Sequence, residues 1–412
     1  MKILYGSSTI DFSPEDIEIT RILAPAVRHN SDTPPEDFEN QLPFLKKKLS
    51  SASPDSVAII CEDKTRINPE YPTFLNMIRD CIAQQAGNIR ISLVVAYGTH
   101  QKHTLQEHIA LYGKENIDAV NLVDHDCRDI ENLVKTGTIS NGHDIFINKT
   151  VAEADFIITL STVAPHSFAG FTGGRKAILP GVSDYASIRR NHSKVGAEGV
   201  GPGLLAANPV HIDMVQAART VHVDFAVQIV RTGDGKISRI FSGELDDSFN
   251  QAVKHCREIN SVPISRKADI VVASCGGHPK DRTLYQSQRA ITTAVSAVRP
   301  GGLVVVFGQF ADNIGNRLYE DWLSKPVDTL LTLTPDQIEV GIHSAYLTAR
   351  NFARAKIVFY SDIPRETAKK TNLEVFSSLS ELNRYIRDYI SEVKLQSPEI
   401  FFIPNASSLL IT

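Results

Sequence analysis

The sequence predicts an α/β protein built as two α/β domains with mostly parallel sheets. Three observations carry this. Short β-branched runs alternate with amphipathic stretches, which is the order of strand–helix–strand crossovers. The chain has 412 residues, more than one hydrophobic core usually serves. A polar segment, SVPISRKA at 261–268, separates two such alternating series.

The first series contains SVAIICED (56–63), IRISLVVAYG (89–98) and ADFIITLST (154–162), each of a length and composition that suits a buried parallel strand. Between the first two, Phe74, Met77, Ile78 and Cys81 recur at helical spacing, with Pro69 near the start and Gly87 at the end. A further helix is expected from Thr104 to Asn116, with His103 and His108 read as solvated. The second series contains ADIVVASCGG (268–277), GGLVVVFG (301–308) and AKIVFYSDI (355–363), with helices expected over 287–298 and 335–351. These give an N-terminal domain over 1–262 and a C-terminal domain over 268–398. The closing run at 399–412 reads as a last strand of either domain.

Composition narrows the function classes. A net charge of −4 offers no electrostatic footprint for nucleic acid or an anionic membrane. The apolar runs are strand-sized, too short to span a bilayer, and the N-terminus lacks the apolar core of a signal peptide. Five cysteines without a CxxC pair read as small buried hydrophobes in a reducing cytoplasm. Lys46 to Lys48 reads as the solvated face of a helix. Nothing in the sequence sets an oligomeric state.

Ligands of open parallel sheets bind beyond the carboxyl ends of the strands, so the segments there are where chemistry is expected. After the first strand comes Asp63-Lys64-Thr65-Arg66. A guanidinium suits a carboxylate or phosphate by its planar fork, and serves equally as a surface partner of Asp63 or Glu62. After the second comes Gly98-Thr99-His100, where an imidazole can act as general acid or base or be simply structural. The third leads into HSFAGFTGGRKAILPG (166–181), in which Gly170, Gly173, Gly174 and Gly181 would let backbone amides approach an anion. It is not a P-loop, because Arg175 separates Gly174 from Lys176 and Ala177 stands where Ser or Thr is required. Lys176, in an Ala-Ile-Leu-Pro setting, is a candidate for a depressed pKa and covalent chemistry, or for a phosphate clamp. His166 and His192 flank it as a proton carrier and a metal ligand in outline, without a HExxH or CxxC pattern. In the second series, Gly276-Gly277-His278-Pro279-Lys280-Asp281 shapes a turn. Tyr285, Gln286 and Arg289 then offer a phenol, an amide and a guanidinium at a helix start.

Taken together, HSFAGFTGGRKAILPG with Asn191-His192, DKTR, GTH and GG-x-P-x-D-x-x-LYQ resemble the nickel-pincer lactate racemase family, in order and spacing, over roughly residues 1 to 405. The resemblance implies a racemase or epimerase of a small 2-hydroxy acid, working by reversible hydride transfer through a 2-keto acid in an interdomain cleft. It implies a nickel-pincer nucleotide, a pyridinium-3-thioamide-5-thiocarboxylic acid mononucleotide, joined covalently to Lys176, with nickel bound by His192. It implies acid/base roles for His100 and His166, and cofactor contacts from Gly173, Gly174, Asp63 and Thr65. Substrate contacts would come from Arg66, Tyr285, Gln286 and Arg289, and cofactor-biosynthesis proteins would be partners. Two positions depart from the pattern. Arg289 stands where the lactate enzyme has lysine, and His278 where an aromatic residue is frequent. Both lie on the substrate side, so a longer, more acidic or sugar-like acid comes into view. Two rival readings remain at this level. One is a pyridoxal-phosphate or nicotinamide enzyme using Lys176, and the other a non-catalytic relative that binds the pincer or a carboxylate.

Overall fold

The computed structural model describes residues 1–13, 18–25, 34–66, 68–140 and 142–412. Two six-stranded sheets organise it. Their strands in chain order are Arg21–Ile22 (β1), Ser56–Glu62 (β2), Arg90–Ala96 (β3), Asn121–Asp124 (β4), Phe156–Val163 (β5) and Phe225–Arg231 (β6). There follow Ile237–Gly243 (β7), Ala268–Ser274 (β8), Val298–Phe307 (β9), Lys356–Tyr360 (β10), Glu374–Phe376 (β11) and Ile400–Ile403 (β12).

The chain divides into two compact units, 29–164 with 169–258, and 1–28 with 165–168 and 259–412. The first has strand order β7-β6-β5-β2-β3-β4, parallel throughout except for the β6–β7 hairpin. The reason lies in the residues. Val57 to Cys61, Leu93 to Val95 and Phe156 to Ile158 are buried at every consecutive position, and only strands covered on both faces sustain such continuous apolar runs. Helix Tyr71–Ala83 covers part of one face through Phe74, Leu75, Ile78, Cys81 and Ile82. In this order β2 and β5 are neighbours, and the chain runs outward from β2 to β3 and in the opposite direction from β5 to β6. That is the switch point of a doubly wound sheet, where a crevice opens at the strand ends.

The second unit is a wholly parallel sheet, β11-β10-β9-β8-β12-β1. Here the expected domain boundaries are corrected. The first residues belong with the C-terminal unit, because β1 hydrogen-bonds alongside β12 and Ile3 and Phe12 enter its core. The closing run is settled the same way. β12 inserts between β8 and β1, and Leu410–Ile411 pairs with Ser261–Val262, inside the segment read as a linker.

Other local readings shift as well. The helix expected from Thr104 to Asn116 is two, Leu105–Tyr112 and Lys114–Asp118, broken at Gly113 with φ +83°. The helix expected over 335–351 begins at Ile342 and runs to Arg354. His103 and His108, read as solvated, are buried. The five cysteines are free and buried, as read. No described helix is long and apolar enough to cross a membrane.

Candidate active site

Three loops at the carboxyl ends of β2, β3 and β5 carry the chemistry of the first unit. The loop after β2 is a tight turn. Asp63 is buried, its Oδ1 accepts the Thr65 N–H at 3.0 Å, and its carbonyl accepts the Arg66 N–H at 3.0 Å. Its other oxygen, Oδ2, lies 2.6 Å from His100 Nδ1, a ring on the next loop that remains about two-fifths exposed. Burial alone would raise the Asp63 carboxyl, but His100, the Thr65 hydroxyl and Arg66 outweigh it and hold it at about 2. An ionised carboxylate takes a proton donor, so the neutral His100 ring carries its proton on Nδ1 and leaves the Nε2 lone pair for chemistry. The Arg66 guanidinium donates only to Thr65 among the described residues, through Nη1, which leaves most of its fork for an anion.

The loop after β5 carries Lys176. The lysine retains some solvent exposure, yet its amine is surrounded by protein and lies well below its ordinary pKa. Burial is the main cause, the charges of Arg175 and Arg66 add to it, and Glu62 opposes them. Glu62, the last residue of β2, is itself raised by burial and is gripped by the Thr162 N–H at 2.9 Å, Tyr71 OH at 3.1 Å and Asn68 Nδ2 at 3.2 Å. Thus Lys176, Arg66 and Glu62 share one electrostatic neighbourhood, and the loop that bears Arg66 also bears Asp63, which holds His100 of the next loop.

The glycine turn is shaped by packing. Gly173 and Gly174 have φ +82° and +54°, and an added Cβ would meet Val163 at 2.6 Å and Phe249 at 2.9 Å. The Gly174 N–H is already donated to Ser161 Oγ and Gln228 Oε1, so it is not aimed at a phosphate. The turn is tied together by Arg175, read in the sequence as a spacer. Its buried guanidinium donates to the carbonyls of Ala169, Phe171, Thr172 and Gly173 and to His211 Nδ1, and stacks on Phe249. Burial lowers it to about 9. Nothing in the local pattern signals this role; Glu62 and Asn68 could have been found as polar groups closing a buried strand.

His192 ends helix Tyr185–His192, which Asp184 caps through the Ser187 N–H at 2.9 Å. Neighbouring Asn191 pins that end by donating to the Val210 carbonyl at 2.9 Å. Among the described residues no three His, Cys, Asp or Glu side chains gather to hold a metal. A metal here therefore needs most of its donors from a bound group.

The remaining sites are in the second unit. His166 lies in a two-residue strand, with Nδ1 3.4 Å from the Phe168 N–H and the two rings edge to face. Tyr285 and Gln286 precede helix Gln288–Ala297, not on its first turn; Tyr285 packs on Tyr319 and His343, and Gln286 is exposed. Arg289, expected at the substrate, donates to the Pro165 carbonyl at 2.6 Å.

Two family models match this chain, the lactate racemase N-terminal domain over residues 5–200 and the lactate racemase C-terminal domain over 264–411. The chain belongs to the lactate racemase family. The lactate racemase of Thermoanaerobacterium thermosaccharolyticum is 30% identical over 376 residues, 88% of each chain. That of Lactiplantibacillus plantarum is 30% identical over 377 residues, 86% of this chain and 87% of the other. The solved apoprotein of the Thermoanaerobacterium lactate racemase superposes with a TM-score of 0.91 at 28% identity, over 100% of this chain and 99% of that one. A Thermotoga maritima protein with a TM-score of 0.71 at 16% identity shares the fold. The family member described here is an isomerase of the racemase class.

Proposed function

We propose that this chain inverts the 2-carbon of a 2-hydroxy acid, lactate being the first substrate to test, with a nickel-pincer nucleotide tethered at Lys176. The observation that carries this reading is the Lys176 amine. Burial and two neighbouring guanidinium groups lower its pKa and so favour the neutral amine, the form able to bond covalently to a carboxyl-derived group. A neutral amine beside Arg66, with a histidine ending a pinned helix, fits the donor set that such a group needs from protein. Lys176 would hold it, and His192 would bind its nickel through imidazole. When bound, the group supplies reversible acceptance of hydride from the substrate's 2-carbon.

The chain's own residues supply the rest. Arg66 grips the substrate carboxylate with its unspent donors, limiting motion to rotation about that anchor. His100 Nε2 takes the hydroxyl proton of one antipode, and Asp63 stabilises the imidazolium that forms. Loss of that proton together with the hydride would leave a 2-keto acid, and as the hydride returns to the other face His166 would supply the hydroxyl proton of the other antipode. Tyr285, Gln286 and Arg289 are proposed to bear on the substrate; Asp63 and Thr65, as part of the loop beneath it, on the cofactor. The buried free thiols support a reducing cytoplasm as the compartment. The test is a panel of 2-hydroxy acids, from lactate to dicarboxylic and sugar acids, given to protein produced with the cofactor-making enzymes. Each acid is followed by chiral chromatography. Inversion of at least one acid, absent in His100→Ala, is expected. No inversion of any acid by nickel-loaded protein would refute the reading.

A further inference from the structure

The turn that bears Asp63 is latched from outside by a second histidine. Its Thr65 and Arg66 N–H groups bond back to Asp63 itself, which shapes the turn without placing it. The Lys64 N–H instead donates to His103 Nε2 at 3.0 Å, across to the loop after β3. That loop also carries His100, whose Nδ1 faces Asp63 at 2.6 Å. Two crossed bonds therefore join the loops: Asp63 holds a histidine of the second, and a histidine of the second holds the residue beside Asp63.

The chemistry of the ring fixes its state. A backbone N–H only donates, so His103 Nε2 must keep its lone pair and the neutral ring's proton sits on Nδ1. That Nδ1 is buried without a hydrogen-bond partner among the described residues, the ring lying edge-on to Tyr97 at 4.9 Å and His108 at 5.0 Å. An unpaired buried polar atom is unfavourable, a penalty that an apolar side chain of this size would avoid if packing were the whole role. The anchor is itself anchored. The His103 N–H donates to Tyr97 OH at 2.9 Å, and that hydroxyl donates to Asp124 at 2.7 Å. Burial pushes the imidazole below its ordinary value, with His108 and Lys64 adding and Asp63 and Glu107 opposing, which keeps the acceptor available.

We infer that His103 is a positioning residue for the racemase: its Nε2 lone pair fixes the Asp63 turn and, through Asp63, the tautomer and aim of His100. The consequence for turnover rests on the proposed acid/base role of His100; the geometry does not. Three substitutions separate acceptor from bulk. In His103→Gln the amide oxygen reaches about as far as Nε2; in His103→Asn it stops short; His103→Leu offers none. The first readout uses cofactor-free protein labelled with 15N at histidine and lysine. Wild type should show His103 as the neutral Nδ1–H tautomer, a protected Lys64 amide, and a downfield His100 Nδ1–H proton. Glutamine should keep the last two signals, and asparagine and leucine should lose them. In loaded enzyme, glutamine should hold kcat within about threefold while the others lose at least about tenfold, the range of a misaimed acid/base group. A charged or Nε2–H ring in wild type overturns the inference even if no variant folds. So do unchanged His100 and Lys64 signals in His103→Leu. If the proton signals respond as stated while kcat does not, His103 positions His100 but the role given to His100 falls.

Discussion

The hydrogen bond between His100 Nδ1 and Asp63 decides which nitrogen of His100 can act, so the pair should fail as a unit. Asp63→Asn removes the charge that favours the imidazolium and permits the wrong tautomer. We expect kcat to fall by about 10²–10⁴, with little change in melting temperature, by analogy with other carboxylate-oriented histidines. Loss of the fold would show instead that Asp63 is chiefly structural. Arg175 makes the opposite kind of prediction. Removing its guanidinium leaves four carbonyls and a histidine nitrogen short of a donor in a buried turn. Arg175→Leu should destabilise the protein by about 3 kcal/mol or more, measured by urea unfolding. A change under about 1 kcal/mol would mean that the turn is held elsewhere. These two residues also mark what the sequence discloses. Asp63 and His100 were legible because each follows a strand whose apolar run announces it, and strand ends are where parallel sheets bind ligands. Arg175 was not, because a cation satisfied mainly by backbone carbonyls of its own loop, and otherwise by a neutral histidine and a phenyl face, has no acidic partner in the sequence to pair it with.

At the scale of elements, the loop after β5 is built by glycines that packing demands. Gly173 has φ +82° and its missing Cβ would lie 2.6 Å from Val163 Cγ2. Gly173→Ala should therefore cost about 1–3 kcal/mol in backbone strain and crowding, and shift the Lys176 amine with it. Thermal melts of the cofactor-free protein would measure the first effect. The sequence located this turn by its glycine density, but density alone does not say whether a freed amide faces a ligand or, as the Gly174 N–H does, a neighbouring strand. The same ambiguity misplaced His103 and His108. A histidine at a helix edge reads as polar, and only Tyr97, Tyr112 and Asp124, brought in from other segments, make it a buried one. Parallel strands were read correctly because their apolar runs are continuous. The break at Gly113 and the late start of helix Ile342–Arg354 were missed because helical spacing persists across a short interruption.

For the whole molecule, the order of strands within each sheet departs from the order of the chain. The first residues complete the last sheet, which no local pattern could announce, because a two-strand pairing across some 380 residues is set by edge geometry and not by neighbours. Stability as a whole should depend on pH through buried neutral histidines. His125 is 1% exposed, donates to the Ser183 carbonyl at 3.0 Å, and is lowered by burial to about 4. Its folded value lies below the unfolded one, so the unfolded chain takes up the proton first. Stability should hold above about pH 6.5 and decline by up to about 3 kcal/mol as pH falls toward 4. In His125→Gln, which keeps a donor at the same reach, the decline between pH 7.5 and 4.5 should be smaller by urea midpoint. An equal decline would place the acid sensitivity elsewhere.

The central claim is that Lys176 bears the working group, and peptide mass spectrometry addresses it directly. Protein produced with the cofactor-making enzymes is digested, and the peptide containing Lys176 is weighed from wild type and from Lys176→Ala. Wild type should carry an added mass equal to the pincer nucleotide less the small molecule lost when the thioamide forms, with or without nickel, located at that lysine by fragmentation, and Lys176→Ala should carry none at any residue. An unmodified Lys176 in nickel-containing protein that racemises its substrate would contradict it.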